Sequence, residues 1–274
     1  MNTNTLGTDG MTLLLPGLFL LMAGCSVSTD NGPDCRYSEA WLSGECSVEI
    51  APPLVWPAGT WRGADAAGRD VLLLISVGGT FQFVDGAHNQ GSGYLAPETR
   101  VASHFDMVTP IDQPFADGST LANCNFSGSA VLRTSMDLDL SCKTGGGLEF
   151  AETLALEFDP VYDRDSSLET VSGNYRTRAD NVLSIAADGQ LFLQDATTGC
   201  VVNGRISVIT LASNLYNVTL QYDSCTGPDE RLNGSAFDGF AQLDDTASPE
   251  VLVIAVIGGV GDLIAASFER AVRL

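Results

Sequence analysis

Only nine side chains in this 274-residue sequence carry a thiol or an imidazole: seven cysteines and two histidines, His88 and His104. No two cysteines have the C-x2-C spacing that is typical of zinc sites, and two histidines add little to a ligand set. Zinc is therefore the weaker interpretation of the cysteines. The sequence predicts no metal site and no cofactor, and disulfides are the stronger interpretation.

Cys25 follows a short apolar segment, "LLLPGLFLLMAG", at residues 13 to 24. A membrane-crossing helix needs ~20 apolar residues, so residues 1 to 24 are predicted to be a cleaved export signal. The run "LMAGC" resembles a bacterial lipobox, in which the cysteine is acylated and the chain is cut just before it. Met22 stands where that motif usually has Leu, and residues 1 to 24 contain no Lys or Arg. A plain secretory leader and an apolar helix of the fold are the alternatives.

Acylation of Cys25, for example with palmitate, would anchor the protein to a membrane. Each buried methylene contributes ~0.8 kcal/mol, and two or more acyl chains hold a protein there stably. The lipobox resemblance also implies transfer to the bacterial outer membrane, because serine follows the cysteine at Ser26. The periplasmic face and the cell-surface face both remain open.

Six cysteines remain once Cys25 is acylated, and an even number suits an oxidising compartment. They allow 15 connectivities. Nearest neighbours along the chain favour the pairs Cys35 with Cys46, Cys124 with Cys142, and Cys200 with Cys225. The formal charge of −21 argues against nucleic acid as a partner, since an acidic surface repels phosphate.

The organisation of the chain changes after Pro57. Residues 25 to 56 are rich in Ser, Pro, Gly and Asp and are predicted to be a tether. Beyond them, short alternating apolar runs separated by Gly, Asp and Asn clusters indicate an all-β fold. "YNVTLQY" from Tyr216 and "MDLDLSC" from Met136 each put apolar residues on one face and polar residues on the other. "VLLLIS" and "VLVIAVI" are apolar on both faces, so they must be covered on both sides or pair as aggregation-prone edges.

An internal repeat predicts two related lobes. "ISVGGTFQFVD" at 75 to 85 aligns without gaps on "IAADGQLFLQD" at 185 to 195, and "GTWR" from Gly59 matches "GNYR" from Gly173. The cysteine pairs follow in the same order. The lobes are expected at 57 to 160 and 171 to 274, and an insertion at 91 to 122 in the first lobe could form an extra hairpin.

The second lobe offers eight candidate strands joined by short turns, which favours an antiparallel up-and-down meander that closes as a small barrel. A β-sandwich is the alternative. The predicted strands are 173 to 178, 182 to 187, 190 to 195, 200 to 208, 215 to 223, 234 to 242, 251 to 257 and 262 to 271.

The lipobox, "AGTWRG", "YDRDSSLETVSGNYR", "TGCVVNGRISVI" and the final "FER" together resemble a group of uncharacterised proteobacterial lipoproteins with two β lobes. The resemblance covers nearly the whole chain after the signal. It implies an envelope location, and it brings no catalytic or binding residues with it.

Three side chains are candidates for ligand binding. Glu152 lies on the predicted inward face of "LEFAETLALEF", where it requires either a bulge in the strand or a partner such as Arg62 or a ligand. Arg62 and Arg176 follow the matched aromatics Trp61 and Tyr175, so each arginine could stack on its neighbour and close a barrel end. That structural role is favoured over ligand binding.

These observations predict a noncatalytic binding or structural module of the bacterial envelope, with an envelope protein or a small apolar ligand as its partner. One alternative is a lipocalin-like carrier, which a cavity of several hundred cubic ångströms in one lobe would favour. The other is a hydrolase built on the insertion, which requires His88 or His104 beside a serine and an acid.

Overall fold

A computed structural model of the protein describes residues 57–95, 100–110, 113–260 and 263–274. It contains two closed antiparallel barrels of eight strands each, and both lie in one compact unit, Leu54–Leu274. In each barrel every strand pairs with the next along the chain, and the last strand pairs with the first. The all-β prediction and the choice of barrels over a sandwich are confirmed.

The first barrel is closed by pairing of β1 with β8, where Thr60 faces Asp159 and Gly63 faces Leu156. Its strands are β1 (Gly59–Ala64), β2 (Asp70–Ile75), β3 (Thr80–Val84), β4 (Gln90–Tyr94), β5 (Arg100–Val108), β6 (Leu121–Val131), β7 (Ser135–Thr144) and β8 (Glu149–Asp159).

A 3₁₀ helix (Pro160–Asp163) and a short helix, α1 (Leu168–Val171), connect the barrels. The second barrel agrees closely with the eight predicted strands, and a 3₁₀ helix (Gly227–Leu232) lies between its fifth and sixth strands. Its strands are β9 (Gly173–Arg176), β10 (Val182–Ile185), β11 (Gln190–Gln194), β12 (Val201–Val208), β13 (Tyr216–Asp223), β14 (Ala236–Asp244), β15 (Val251–Val260) and β16 (Leu263–Arg273).

Aromatic rings fill the interior of the first barrel. Phe105 and Phe126 have centroids 4.6 Å apart, and both rings also contact Phe81 and Phe83. A Cβ on Gly91 would collide with the Phe105 ring, which explains a glycine at an inward position of β4. The first barrel is therefore a packed core.

The second barrel has a more aliphatic interior. In β13 the side chains of Tyr216, Val218 and Leu220 are buried, whereas Asn217 and Thr219 are exposed, as the alternation predicts. Most of the other inward positions carry Leu, Ile, Val or Ala.

Helix α1 covers one end of the second barrel. The Tyr175 hydroxyl donates to the Val171 carbonyl at 2.7 Å, and the Tyr216 hydroxyl donates to the Ser167 carbonyl at 3.3 Å. Arg273 reaches the same end and donates to the Thr170 carbonyl at 2.5 Å. This end of the barrel is closed by side chains.

The predicted disulfides Cys124–Cys142 and Cys200–Cys225 are both present. They do not occupy equivalent places, although the aligned segments at 75 to 85 and 185 to 195 do fall on the second and third strands of each barrel. Cys124 and Cys142 face each other inside the first barrel on its sixth and seventh strands. Cys200 and Cys225 flank the fourth and fifth strands of the second barrel.

The insertion at 91 to 122 contains β5 and most of β4, but both barrels have eight strands. The hairpin it contributes is therefore part of the ordinary strand count. The second barrel reaches the same number because three more strands, β14 to β16, follow its disulfide.

The outer faces of the two barrels pack against each other. The apolar cluster between them includes Leu72 and Leu74 of β2, Phe240 of β14 and Val253 of β15. At its margin Gln242 donates from its side-chain amide to the Thr60 hydroxyl at 2.5 Å. The two runs that are apolar on both faces are thus covered on both sides, by a barrel interior and by the neighbouring barrel.

Candidate functional site

A cavity of about 200 Å³ opens at the end of the second barrel opposite α1. The β9–β10 and β11–β12 loops and the 3₁₀ helix before β14 surround its opening, here called the mouth. Apolar side chains that point into the barrel form its walls: Leu183, Leu191, Leu193, Val202, Leu220 and Ile254. The second barrel is therefore closed at the end covered by α1 and open at the opposite end.

Glu269 brings a carboxylate into this cavity. It occupies an inward position of β16, two residues before the buried Ala271. Its Oε1 accepts a hydrogen bond from the backbone N–H of Arg178 at 3.0 Å. Burial raises the pKa of the Glu269 carboxyl above its ordinary value, and the N–H and charge of Arg178 offset only part of that rise.

Two further carboxylates, Asp195 and Asp229, lie at the rim. Burial works to raise the pKa of Asp195, but hydrogen bonds from the Thr197 and Thr198 N–H groups outweigh it, so the pKa is lowered. Asp195 is therefore ionised at neutral pH.

Tyr222 forms the aromatic part of the wall, with its ring centroid 5.2 Å from that of Phe237. Burial raises the pKa of the Tyr222 phenol, and its hydroxyl interacts with Ser267, another lining residue. The cavity thus combines an aliphatic wall and one aromatic ring with four hydroxyls, one side-chain amide and three carboxylates.

Glu152 occupies the corresponding position in the first barrel. Strand β8 is regular, so the predicted bulge near Glu152 is wrong, and so is the proposed pairing with Arg62. The Glu152 carboxylate instead accepts a hydrogen bond from the backbone N–H of Ala66 at 2.6 Å. A glutamate in the last strand of each barrel therefore binds the loop that follows the first strand.

A second concavity, of about 540 Å³, lies between the barrels and is here called the groove. Arg62 lines it and is held by Asp159, with Nε 2.5 Å from Oδ2, and by the side-chain oxygen of Gln242 at 3.3 Å. Arg178 and Arg270 line the other side. The groove is mixed in charge, because Asp70, Glu157, Asp159 and Asp244 also line it.

The predicted stacking of each arginine on the preceding aromatic residue is wrong. Adjacent residues of a strand point to opposite faces, so Trp61 and Tyr175 are buried while Arg62 and Arg176 face outwards. Exposed Arg176 lies 3.4 Å from Asp180, and the guanidinium over the Tyr175 ring belongs to Arg273, at 5.1 Å.

The two histidines lie apart. Exposed His104 contacts the side-chain oxygen of Asn125 at 3.0 Å. His88 packs on Phe268 at the groove, with ring centroids 5.0 Å apart, and burial together with Arg178 lowers its pKa. Within the described residues neither imidazole has the serine and acid that the hydrolase alternative requires.

In the part of the chain that the structure describes, no three His, Cys, Asp or Glu side chains come close enough to hold a metal ion, and no helix is long and apolar enough to cross a membrane. The predictions for Cys25, Cys35, Cys46, the signal at 1 to 24 and the tether at 25 to 56 lie outside the described residues.

Sequence reasoning missed Glu269. Alternation along "SFERAV" places Ser267, Glu269 and Ala271 on the same face of β16, but only the pairing of β16 with β15 shows that this face points into the barrel.

No protein-family model and no curated protein matches this chain.

Proposed function

We propose that this protein is a lipid-anchored, noncatalytic binding protein of the bacterial envelope, and that it holds a small apolar group in the mouth of its second barrel. The observation that carries the proposal is the difference between the barrels. The first is filled by aromatic rings, whereas the second keeps a cavity of about 200 Å³ that opens at one end only.

The dimensions of the cavity limit what it could accept. Pockets for whole drug-sized ligands measure roughly 300–1,000 Å³, so this one suits a short apolar group rather than a long lipid. The walls of Leu183, Leu191 and Val202 would bury such a group, and each methylene removed from water would contribute ~0.8 kcal/mol.

The closed end supports binding rather than passage. Tyr175, Tyr216 and Arg273 connect α1 to the barrel floor through hydrogen bonds, so a ligand that entered at the mouth would leave by the same opening. A noncatalytic role fits the geometry of the cavity, whose lining includes no histidine and no free thiol among the described residues.

The test is a titration of the full chain, carrying Cys25→Ser to prevent acylation, with 1-octanol. Backbone amide signals would be followed by nuclear magnetic resonance. We expect shifts confined to the mouth, at residues such as Leu193 and Tyr222. Leu193→Trp, which fills the cavity, should abolish them. Phe192→Trp, at the adjacent outward position that is 45% exposed, should leave them unchanged.

The proposal fails if the folded wild-type chain shows no shifts, or if Leu193→Trp binds 1-octanol as the wild type does. The groove is a second candidate site because of its larger volume of about 540 Å³ and its position between two domains. Shifts at His88 and Phe268 in place of the mouth would favour the groove.

A further inference from the structure

We propose that the ligand bound at the mouth carries a positively charged head group, and that Glu269 is its counter-ion. This inference rests on the function proposed above and names its ligand class: a short-chain amphiphile with an ammonium head. Its basis is a carboxylate that points into a largely apolar cavity and forms no salt bridge, and whose burial the charge of Arg178 offsets only in part.

The environment of Glu269 supplies hydrogen-bond donors but no paired cation. Its carboxylate accepts the Arg178 N–H, which is a backbone group. The Arg178 side chain lines the groove on the outer side of the barrel, as does Arg270, whose Nη1 lies 3.6 Å from Asp70. Among the described residues, no Arg, Lys or His nitrogen forms a salt bridge with Glu269.

A partly buried carboxylate without a counter-ion is costly, and a cation placed beside it recovers part of that cost. An ammonium group at the mouth would bind Glu269 through a charge-assisted hydrogen bond. The Tyr222 ring is a second group in the wall that attracts cations.

The other residues that line the cavity also favour a cationic head group over an anionic one. Asp195 and Asp229 add negative charge at the rim, and none of the lining residues that the structure describes is Lys, Arg or His. The three carboxylates would repel a carboxylate or phosphate head group, and no cationic lining residue would offset that repulsion. Fatty acids and anionic lipids are therefore disfavoured although their chains suit the wall.

A comparison of Glu269 with Glu152 distinguishes a structural role from a ligand-binding role. Both glutamates accept a backbone N–H from the loop after the first strand of their barrel. Only Glu269 is among the residues that line the mouth. Replacing either residue by Gln keeps an accepting oxygen and changes the net charge by the same amount, so Glu152→Gln is a matched control.

The experiment compares three ligands that have the same alkyl chain: octylammonium, 1-octanol and octanoate. Each is titrated at pH 7 into the full-length protein carrying Cys25→Ser. Dissociation constants would be measured from amide shifts at the mouth. We expect octylammonium to bind roughly tenfold more tightly than 1-octanol, as one charge-assisted hydrogen bond allows. Octanoate should bind most weakly. Glu269→Gln should weaken octylammonium by about the same factor and leave 1-octanol unchanged.

The same affinity for octylammonium and 1-octanol, or the same loss in Glu152→Gln as in Glu269→Gln, would overturn the ammonium assignment while the binding site stands. If none of the three ligands binds, the proposed function fails as well. Should Glu269→Gln not fold, the wild type at falling pH provides the second test, because protonation of Glu269 removes its charge while Asp195, whose pKa is lowered, keeps its own. A preference for octylammonium over 1-octanol that persists unchanged below the ordinary glutamate value of 4.5 would also contradict the proposal.

Discussion

The carboxylate of Glu269 accepts a hydrogen bond from the backbone N–H of Arg178 at 3.0 Å, and this bond extends a seam that is otherwise short. Strands β9 and β16 pair through only two positions, Arg176 with Val272 and Tyr175 with Arg273. The glutamate thus ties the last strand of the second barrel to the loop beyond its first strand.

The first prediction concerns the pH dependence that Glu269 adds to stability. Because burial raises its pKa, the folded protein takes up this proton at a higher pH than the unfolded chain does. The free energy of unfolding of the wild type should therefore rise, relative to Glu269→Gln, as pH falls from the folded pKa towards the ordinary value. Urea unfolding of both chains from pH 7 to pH 4.5 measures it, and a difference that stays constant over this range would contradict it.

The second prediction concerns Tyr216, where burial raises the pKa to about 12. The unfolded chain ionises this phenol near its ordinary value of 10.0, so stability should be lost as pH rises between those two values. The wild type should lose roughly 1 kcal/mol per pH unit more than Tyr216→Phe over this interval. Denaturant unfolding at pH 9 and pH 11 tests it, and parallel losses in the two chains would show that Tyr216 is not responsible.

The third prediction compares two valines on the outer surface of the second barrel. Val253 is 2% exposed because the first barrel covers it, whereas Val182 is 43% exposed. Val253→Ala should lower the free energy of unfolding by about 2 kcal/mol, as in a protein core, and Val182→Ala should change it by less than ~0.5 kcal/mol. Equal effects in urea unfolding would mean that the two barrels do not pack in solution.

The fourth prediction concerns the disulfide Cys200–Cys225, which closes a loop of 25 residues beside the mouth. Replacing both cysteines by Ser should cost about 3 kcal/mol, chiefly by freeing the unfolded chain. Hydrogen exchange should accelerate in β12 and β13 more than in the first barrel. Unchanged stability in the double variant would argue against this bond in the native protein.

The fifth prediction tests the anchor at Cys25. The wild-type protein should sediment with membranes, and its intact mass should exceed that of a chain beginning at residue 25 by the mass of acyl groups. Cys25→Ser should abolish both properties, whereas Ser28→Ala should keep them. A soluble, unmodified wild-type chain would rule out the lipobox interpretation.

Alternation along single strands determined much of this fold. The run from Tyr216 to Tyr222 already has a buried face and an exposed face in its sequence, because successive strand residues point in opposite directions. The two-sided apolar runs in β2 and β15 required cover on both faces. The sequence left 15 connectivities open, and the structure confirms the nearest-neighbour preference for Cys124 with Cys142 and for Cys200 with Cys225.

Only the tertiary structure decided which side chains meet across the seams and between the barrels. Tyr175 is covered by Arg273, 98 residues away, and not by its neighbour Arg176, because barrel closure sets the first strand beside the last. The cavity follows from the summed volumes of side chains on many strands, and no local pattern records that sum. Period-two alternation is a property of a few consecutive residues, whereas register, closure and free volume depend on segments distant in the chain.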